Sequence, residues 1–151
     1  MTTPTSRVQR AARALVPIAT AAALSAIALA PARATPTIGA TAVTLSKQTV
    51  AGKDYIVSDI TIAPGGSTGW HTHQGEIYGI VKAGTLTHYE ADCNEDGVYN
   101  VGDPTTDPTG PDHVHMARNL GPVPVILEVT YVDPAGAPTS DSAPNPGCSF
   151  E

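Results

Sequence analysis

From Thr41 onward the chain is punctuated too often by Gly, Pro, Asn and Asp to sustain helices, and the residues between these breaks alternate apolar with polar. That period-two pattern belongs to short strands that bury one face. Residues 41–47 place Val43 and Leu45 on one side. Residues 55–63 put Tyr55, Val57, Asp59 and Thr61 on one face and Ile56, Ile60 and Ile62 on the other, and Pro64-Gly65-Gly66 reads as a turn. Further strands are predicted at 68–73, 77–82, 85–90, 113–119 and 123–133. A set of this size in one short domain fits an all-β sandwich or small barrel. Pro104, Pro108 and Pro111 make 92–112 a poor strand, and the Pro, Gly, Ser and Asp residues of 134–151 predict an extended tail.

The first 34 residues stand apart from this pattern. Arg7, Arg10 and Arg13 lead into an uncharged run from Ala14 to Ala30, which closes on Ala32-Arg33-Ala34. That order matches a cleaved export signal, and the run is short for a bilayer span of about 20 residues. The expected product is therefore secreted, with its barrel over 35–133. Removing Arg7, Arg10, Arg13 and Arg33 leaves four basic residues against fourteen acidic ones, a formal charge of −10. So acidic a surface repels phosphate backbones and anionic lipid, which argues against nucleic-acid or membrane partners. Cys93 and Cys148 are the only cysteines, and outside the cytoplasm an even pair predicts a disulfide tying the tail to a mid-chain loop.

Four of the five histidines form two His-x-His pairs, His71/His73 and His113/His115. Residues two apart on a strand share a face, so each pair can deliver two imidazoles to one point. Two such pairs on separate strands predict a site for one divalent transition metal ion. Imidazoles with or without a carboxylate suit Zn²⁺, Fe²⁺, Cu²⁺, Ni²⁺ or Mn²⁺ without choosing among them. His88, between Thr87 and Tyr89, reads as a packed or surface residue, and Trp70 and Tyr78 as barrel packing.

These residues resemble the motifs of the cupin superfamily. Gly65, five residues before His71, then His71-Thr72-His73 and Gly84, resembles the first cupin motif; Pro108-Thr109-Gly110 with His115 and Asn119 resembles the second. The resemblance implies a double-stranded β-helix, a jelly roll, with metal inside the barrel on His71, His73 and His115, or on His113 in place of His115. It also implies a glutamate ligand after His-x-His. Glu76 follows too soon, however, and counting back from Gly84 lands on Ile77. A slip of one residue turns a strand side chain to the other face, so Glu76 joins only if a turn or bulge restores its parity; otherwise the site is histidine-only. The family's range admits an oxygenase- or isomerase-type enzyme on a small organic molecule, and equally a non-catalytic metal- or small-ligand-binding barrel. Homodimers through sheet edges are a further implication.

A second metal pattern runs from Asp92 to Asp103. Asp92, Asn94, Asp96, Asn100 and Asp103 place oxygen donors, and Gly97 the turn, at the spacing of a calcium-binding loop. Calcium there would order the long loop near the barrel mouth.

Overall fold

The alternating runs form ten strands and no helix among residues 34–150, the part of the chain that the computed structural model describes. In chain order they are β1 (Ile38–Val50), β2 (Lys53–Ser67), β3 (His71–Thr72), β4 (Glu76–Ala83), β5 (Leu86–Glu90), β6 (Glu95–Tyr99), β7 (Pro104–Thr105), β8 (His115–Arg118), β9 (Val125–Pro134) and β10 (Asp141–Ser142). The expected leader lies outside the described residues, Ala34 excepted. Strands β1, β2, β9, β4 and β7 lie side by side, as do β10, β3, β8, β5 and β6, and every pairing is antiparallel. Ile60 and Leu127 from the first group and Leu86 and Ala117 from the second line one cavity. The whole is a nearly closed barrel, a double-stranded β-helix.

Strand β2 joins the two groups. It pairs with β9 as far as Ile62 opposite Val125, then with β8 at Ser67 opposite Arg118. Between them, Pro64-Gly65-Gly66 bends the strand where the sequence predicts a turn that ends it. Gly65 has φ +76°, a backbone state that side chains disfavour. A Cβ on Gly66 would sit 2.6 Å from the Ile38 carbonyl oxygen, so only glycine lets β1 and β2 close at this corner. The register break between Ile38 and Ala40 records the bulge.

Parity then sorts the side chains. Ile56, Ile77, Val129 and Tyr131 form one apolar cluster, and Ile62, Val81, Leu86, Ala117 and Val125 another; Ile60 and Leu127 pack against both. A third cluster comprises Trp70, Met116, Ala143 and Cys148. Trp70 and Met116 each neighbour a histidine in sequence, so they point away from the cavity side. They are nevertheless fully buried, because the C-terminal segment lies over them.

That segment is more than an extended tail. Asp141 and Ser142 pair with Thr72 and His71 as β10, and Cys148 is disulfide-bonded to Cys93. Trp70 N–H donates to the Thr35 hydroxyl at 2.7 Å, and Thr35 N–H donates to the Ala143 carbonyl at 2.9 Å. The start of the described chain is thus stitched to its end.

The calcium-like stretch does not wrap. Residues 95–99 are an extended strand paired with β5, with Gly97 opposite His88. Five residues of strand span about 16 Å, which separates Asp92 and Asn94 from Asn100 and Asp103 by more than one ion can bridge. Asp92 instead accepts from the Asn94 backbone, and Asp103 from the Asn100 backbone. The expected calcium site is corrected accordingly: Asp92 with Asn94 and Asn100 with Asp103 close two turns of a β-meander, and Asp96 between them faces His88.

Candidate metal centre

Strand β3 is short but its pairing is decisive. His71 lies directly opposite His115 of β8, so both rings leave the sheet on one face at neighbouring positions. His73 follows two residues on and keeps that face. Ring centroids are 4.4 Å apart for His71 and His115, 4.7 Å for His71 and His73, and 5.0 Å for His73 and His115. One nitrogen from each can be chosen so that all three lie within 4.8 Å of one another.

Each ring is oriented by the backbone. Nδ1 of His71 lies 2.8 Å from the Gly69 carbonyl oxygen, Nδ1 of His73 lies 2.7 Å from that of Thr139, and Nδ1 of His115 lies 3.1 Å from that of His113. A carbonyl only accepts, so Nδ1 carries the proton in all three and Nε2 carries a lone pair. Fixing the far nitrogen in this way is how protein metal sites set the tautomer and aim of a histidine ligand. Nε2 of His115 is buried without a hydrogen-bond partner. A buried acceptor in that state calls for another partner, and the imidazole set suits a divalent transition ion.

Burial holds the imidazoles of His71, His73 and His115 neutral, each pushed down to about 4 from the usual 6.5. An unfolded chain protonates them below pH 6.5, whereas the folded protein does so only near 4. Their contribution to stability is therefore complete above pH 6.5 and lost as pH falls toward 4. Near pH 5 each group costs about 1.4 kcal/mol per pH unit. Thermal melts of metal-free protein are expected to fall steeply between pH 6.5 and 4.5, and a flat profile there would contradict this account.

Glu76 is not brought in. It is exposed and accepts a hydrogen bond from the Tyr78 hydroxyl at 3.0 Å, two residues along the same outer face. Ile77 points into the cavity instead. The only irregularity between β4 and β9 falls at Val81/Ala83, beyond the point where it could restore the parity of Glu76. Of the second pair, His115 joins the cluster; His113 lends it a carbonyl and turns its own Nδ1 toward Glu90, 3.4 Å away.

Two residues that sequence reasoning passed over line the same cavity: His88 and Asp107. His88 is buried, not at the surface, with Nδ1 2.6 Å from Asp96 Oδ1 and Nε2 3.2 Å from Asp107 Oδ1. Burial alone would lower its pKa, but the carboxylates of Asp107 and Asp96 together outweigh it and raise His88 to about 9, so it is a cation at neutral pH. Asp107 reaches the cavity from the loop between β7 and β8, its Oδ2 3.8 Å from His115 Nε2. Burial would raise its carboxyl, yet His88 and the neighbouring imidazoles hold it well below the usual carboxylate range. Two carboxylates flanking one buried imidazole have no periodic signature in the sequence.

The cavity beside the three rings measures about 330 Å³. Its wall combines Ile60, Leu127 and Val129 with Thr hydroxyls and Tyr131, and among the described residues no lysine or arginine lines it.

No protein-family model matches the chain. No curated protein matches it either. Solved structures do. A conserved protein with a double-stranded β-helix domain from Klebsiella pneumoniae is 23% identical, with TM-score 0.56 over 69% of this chain and 84% of that one. A cupin-2 domain from Rhodospirillum rubrum is 14% identical, with TM-score 0.56 over 70% and 66%. An oxalate oxidase in complex with glycolate is 20% identical, with TM-score 0.50 over 63% of this chain and 51% of its own. These likenesses define the class of structure: this chain has the cupin fold. The chain spans about half the length of the oxalate oxidase.

Proposed function

We propose that this protein is an exported metal-dependent barrel that holds one divalent transition ion on His71, His73 and His115. We further propose that it acts on a small, uncharged organic molecule in the adjoining cavity, as an oxygenase- or isomerase-type enzyme. The observation that carries the reading is the set of three Nδ1-to-carbonyl hydrogen bonds, which leaves three Nε2 lone pairs aimed at a common region. The bound ion would supply Lewis acidity toward an oxygen of the ligand.

The protein's own groups would do the rest. Ile60, Leu127 and Val129 exclude water from the ligand's body, and Tyr131 presents a hydroxyl at the cavity wall. The similar oxalate oxidase is described with glycolate, a small carboxylate. Here the buried His88 is already engaged by Asp96 and Asp107, and with no lysine or arginine among the described residues of the wall a neutral substrate fits better. Export is supported by the Cys93–Cys148 disulfide, since such bonds persist in oxidising compartments. A non-catalytic binding barrel is favoured in one respect: Glu76, the carboxylate nearest the first histidine pair in sequence, lies outside the cavity and cannot serve there as a base.

Elemental analysis of the exported protein is expected to find one transition ion per chain. Turnover or binding should then favour neutral phenols, thiols or diketones over oxalate and glycolate. Absence of a transition ion, or preference for the carboxylates, would overturn the reading; tight metal with ligand binding but no turnover would select the non-catalytic form.

A further inference from the structure

Strand β9 ends on a carboxylate over which the barrel has closed. Asp133 is 0% exposed, and neither of its oxygens has an aligned hydrogen-bond partner. It lies two residues beyond Tyr131, on the same inward face, and pairs directly across the sheet with Asp54 of β2. Asp54 is buried too, but it is well supplied: it accepts from Lys47 Nζ at 2.8 Å, from the Gly136 N–H at 2.9 Å and from the Thr49 hydroxyl. Lys47, Thr49 and Gly136 thus hold Asp54 as an anion, well below the usual carboxylate range. Asp133 has no such company, since among the described residues no basic side chain forms an ion pair with it. The groups that act on it are the Gly75 backbone, Asp54, Asp141 of β10 and Lys47 of β1; Tyr131, the next inward residue of β9, stays neutral, its hydroxyl pushed up to about 12 by burial. Burial pushes the Asp133 carboxyl above its usual range, with Asp54 and Asp141 adding to the effect and Gly75 and Lys47 opposing it. A carboxylate taken out of water without partners is commonly neutralised by a proton.

We propose that Asp133 is a proton lock on this end of the barrel: folded, it is a neutral carboxylic acid set against the Asp54 anion, and losing its proton loosens the segment that Asp54 holds. That segment begins at Pro134. Its first turn is fixed by the Gly136 N–H on Asp54, by the Ala135 N–H on the Gly52 carbonyl at 2.9 Å and by the Ala137 N–H on the Pro134 carbonyl at 2.9 Å. It runs on to Thr139, whose carbonyl orients His73. With Asp133 ionised, two buried carboxylates would face each other across one residue pair, with Lys47 as their counter-ion, and their repulsion acts on the strand end and the turn beyond it. The sign follows from proton linkage. A carboxyl that holds its proton more tightly folded than unfolded contributes stability that is complete below the usual carboxylate range and is lost as pH rises through the folded value. That direction is opposite to the one set by His71, His73 and His115, whose contribution is lost as pH falls. The assignment does not depend on whether an ion is bound.

Carbon-13 NMR of the side-chain carboxyls tests the first half directly. In the exported protein, Asp133 is expected to titrate above the usual carboxylate range, and a midpoint within that range overturns the proposal. Urea unfolding against pH gives the linkage. Asp133→Asn is expected to gain on the unaltered protein as pH rises, by about tenfold in the folded-to-unfolded ratio per pH unit between the unfolded and folded midpoints, and to level off above the folded one. A difference that stays constant with pH overturns the idea, since no proton would then be taken up on folding. The second half is read from amide exchange at Gly136. Above the Asp133 midpoint it should be faster in the unaltered protein than in Asp133→Asn, and equal rates overturn the lock. Should Asp133→Asn not fold, Asp54→Asn carries the test: without the facing anion the Asp133 midpoint must fall, and an unmoved midpoint overturns the proposal.

Discussion

Alanine at His71, His73 or His115 is expected to weaken binding of a divalent transition ion at least about tenfold in each case, and more for the paired variants. Changes around a metal ligand commonly cost 10- to 100-fold, and loss of the ligand itself should reach or exceed that range. On the metal-centre reading each histidine would contribute one lone pair, and His113 belongs to none of the clusters of described residues that could hold an ion. His113 is turned toward Glu90, and both nitrogens of His88 face carboxylates. The measurement is competition against a chromophoric chelator at pH 7, with Glu76→Ala as the control expected to bind normally. Full occupancy in all three histidine variants would discard the site.

Removing the Cys93–Cys148 bridge, as a double serine variant, is expected to lower unfolding free energy by about 4 kcal/mol. That is the chain-entropy value for a loop of this length, closed across 55 residues. The same change should weaken metal binding, although neither cysteine approaches the histidines. The bridge holds down the segment that carries the Thr139 carbonyl, which orients His73, and Asp141–Ser142, which pair with Thr72 and His71. Denaturation curves and metal affinities of the disulfide-bonded and serine forms check both parts. Equal affinities would show that the tail does not hold the site.

What could be read from residues alone was whatever depends on local period. Alternation predicted β1 to β5, β8 and β9 in outline but not β6, β7 or β10, and two His-x-His pairs predicted rings on one face; the structure places His71 and His115 opposite each other, as that reading needs. The parity objection to Glu76 was also visible in the spacing to Gly84, and it holds: Ile77 points inward and Glu76 outward.

What escaped depends on contacts distant in sequence. Asp107 sits among prolines in a stretch with no alternation, in a loop fixed by bonds from Thr106 and Gly110 to the Ile77 and His73 carbonyls. Strand β6 was hidden because donors at calcium-loop spacing also suit a strand between two polar turns; only pairing with β5 decides between them. His88 looked ordinary because one of its partners, Asp107, arrives from a remote loop. The tail carries no apolar alternation around Asp141, and it is ordered by covering Trp70 and Met116 and by the cysteine bond.

The Thr139 carbonyl has one more implication. Because His73 takes its orientation from Thr139, 66 residues further on, the three rings cannot all be set until that segment has docked. On the export reading, that moment comes in the surroundings where the thiols are oxidised. Divalent ions compete for such sites by availability as much as by intrinsic affinity. The identity of the ion would then be decided by the stocks outside the cell and not by those of the cytoplasm.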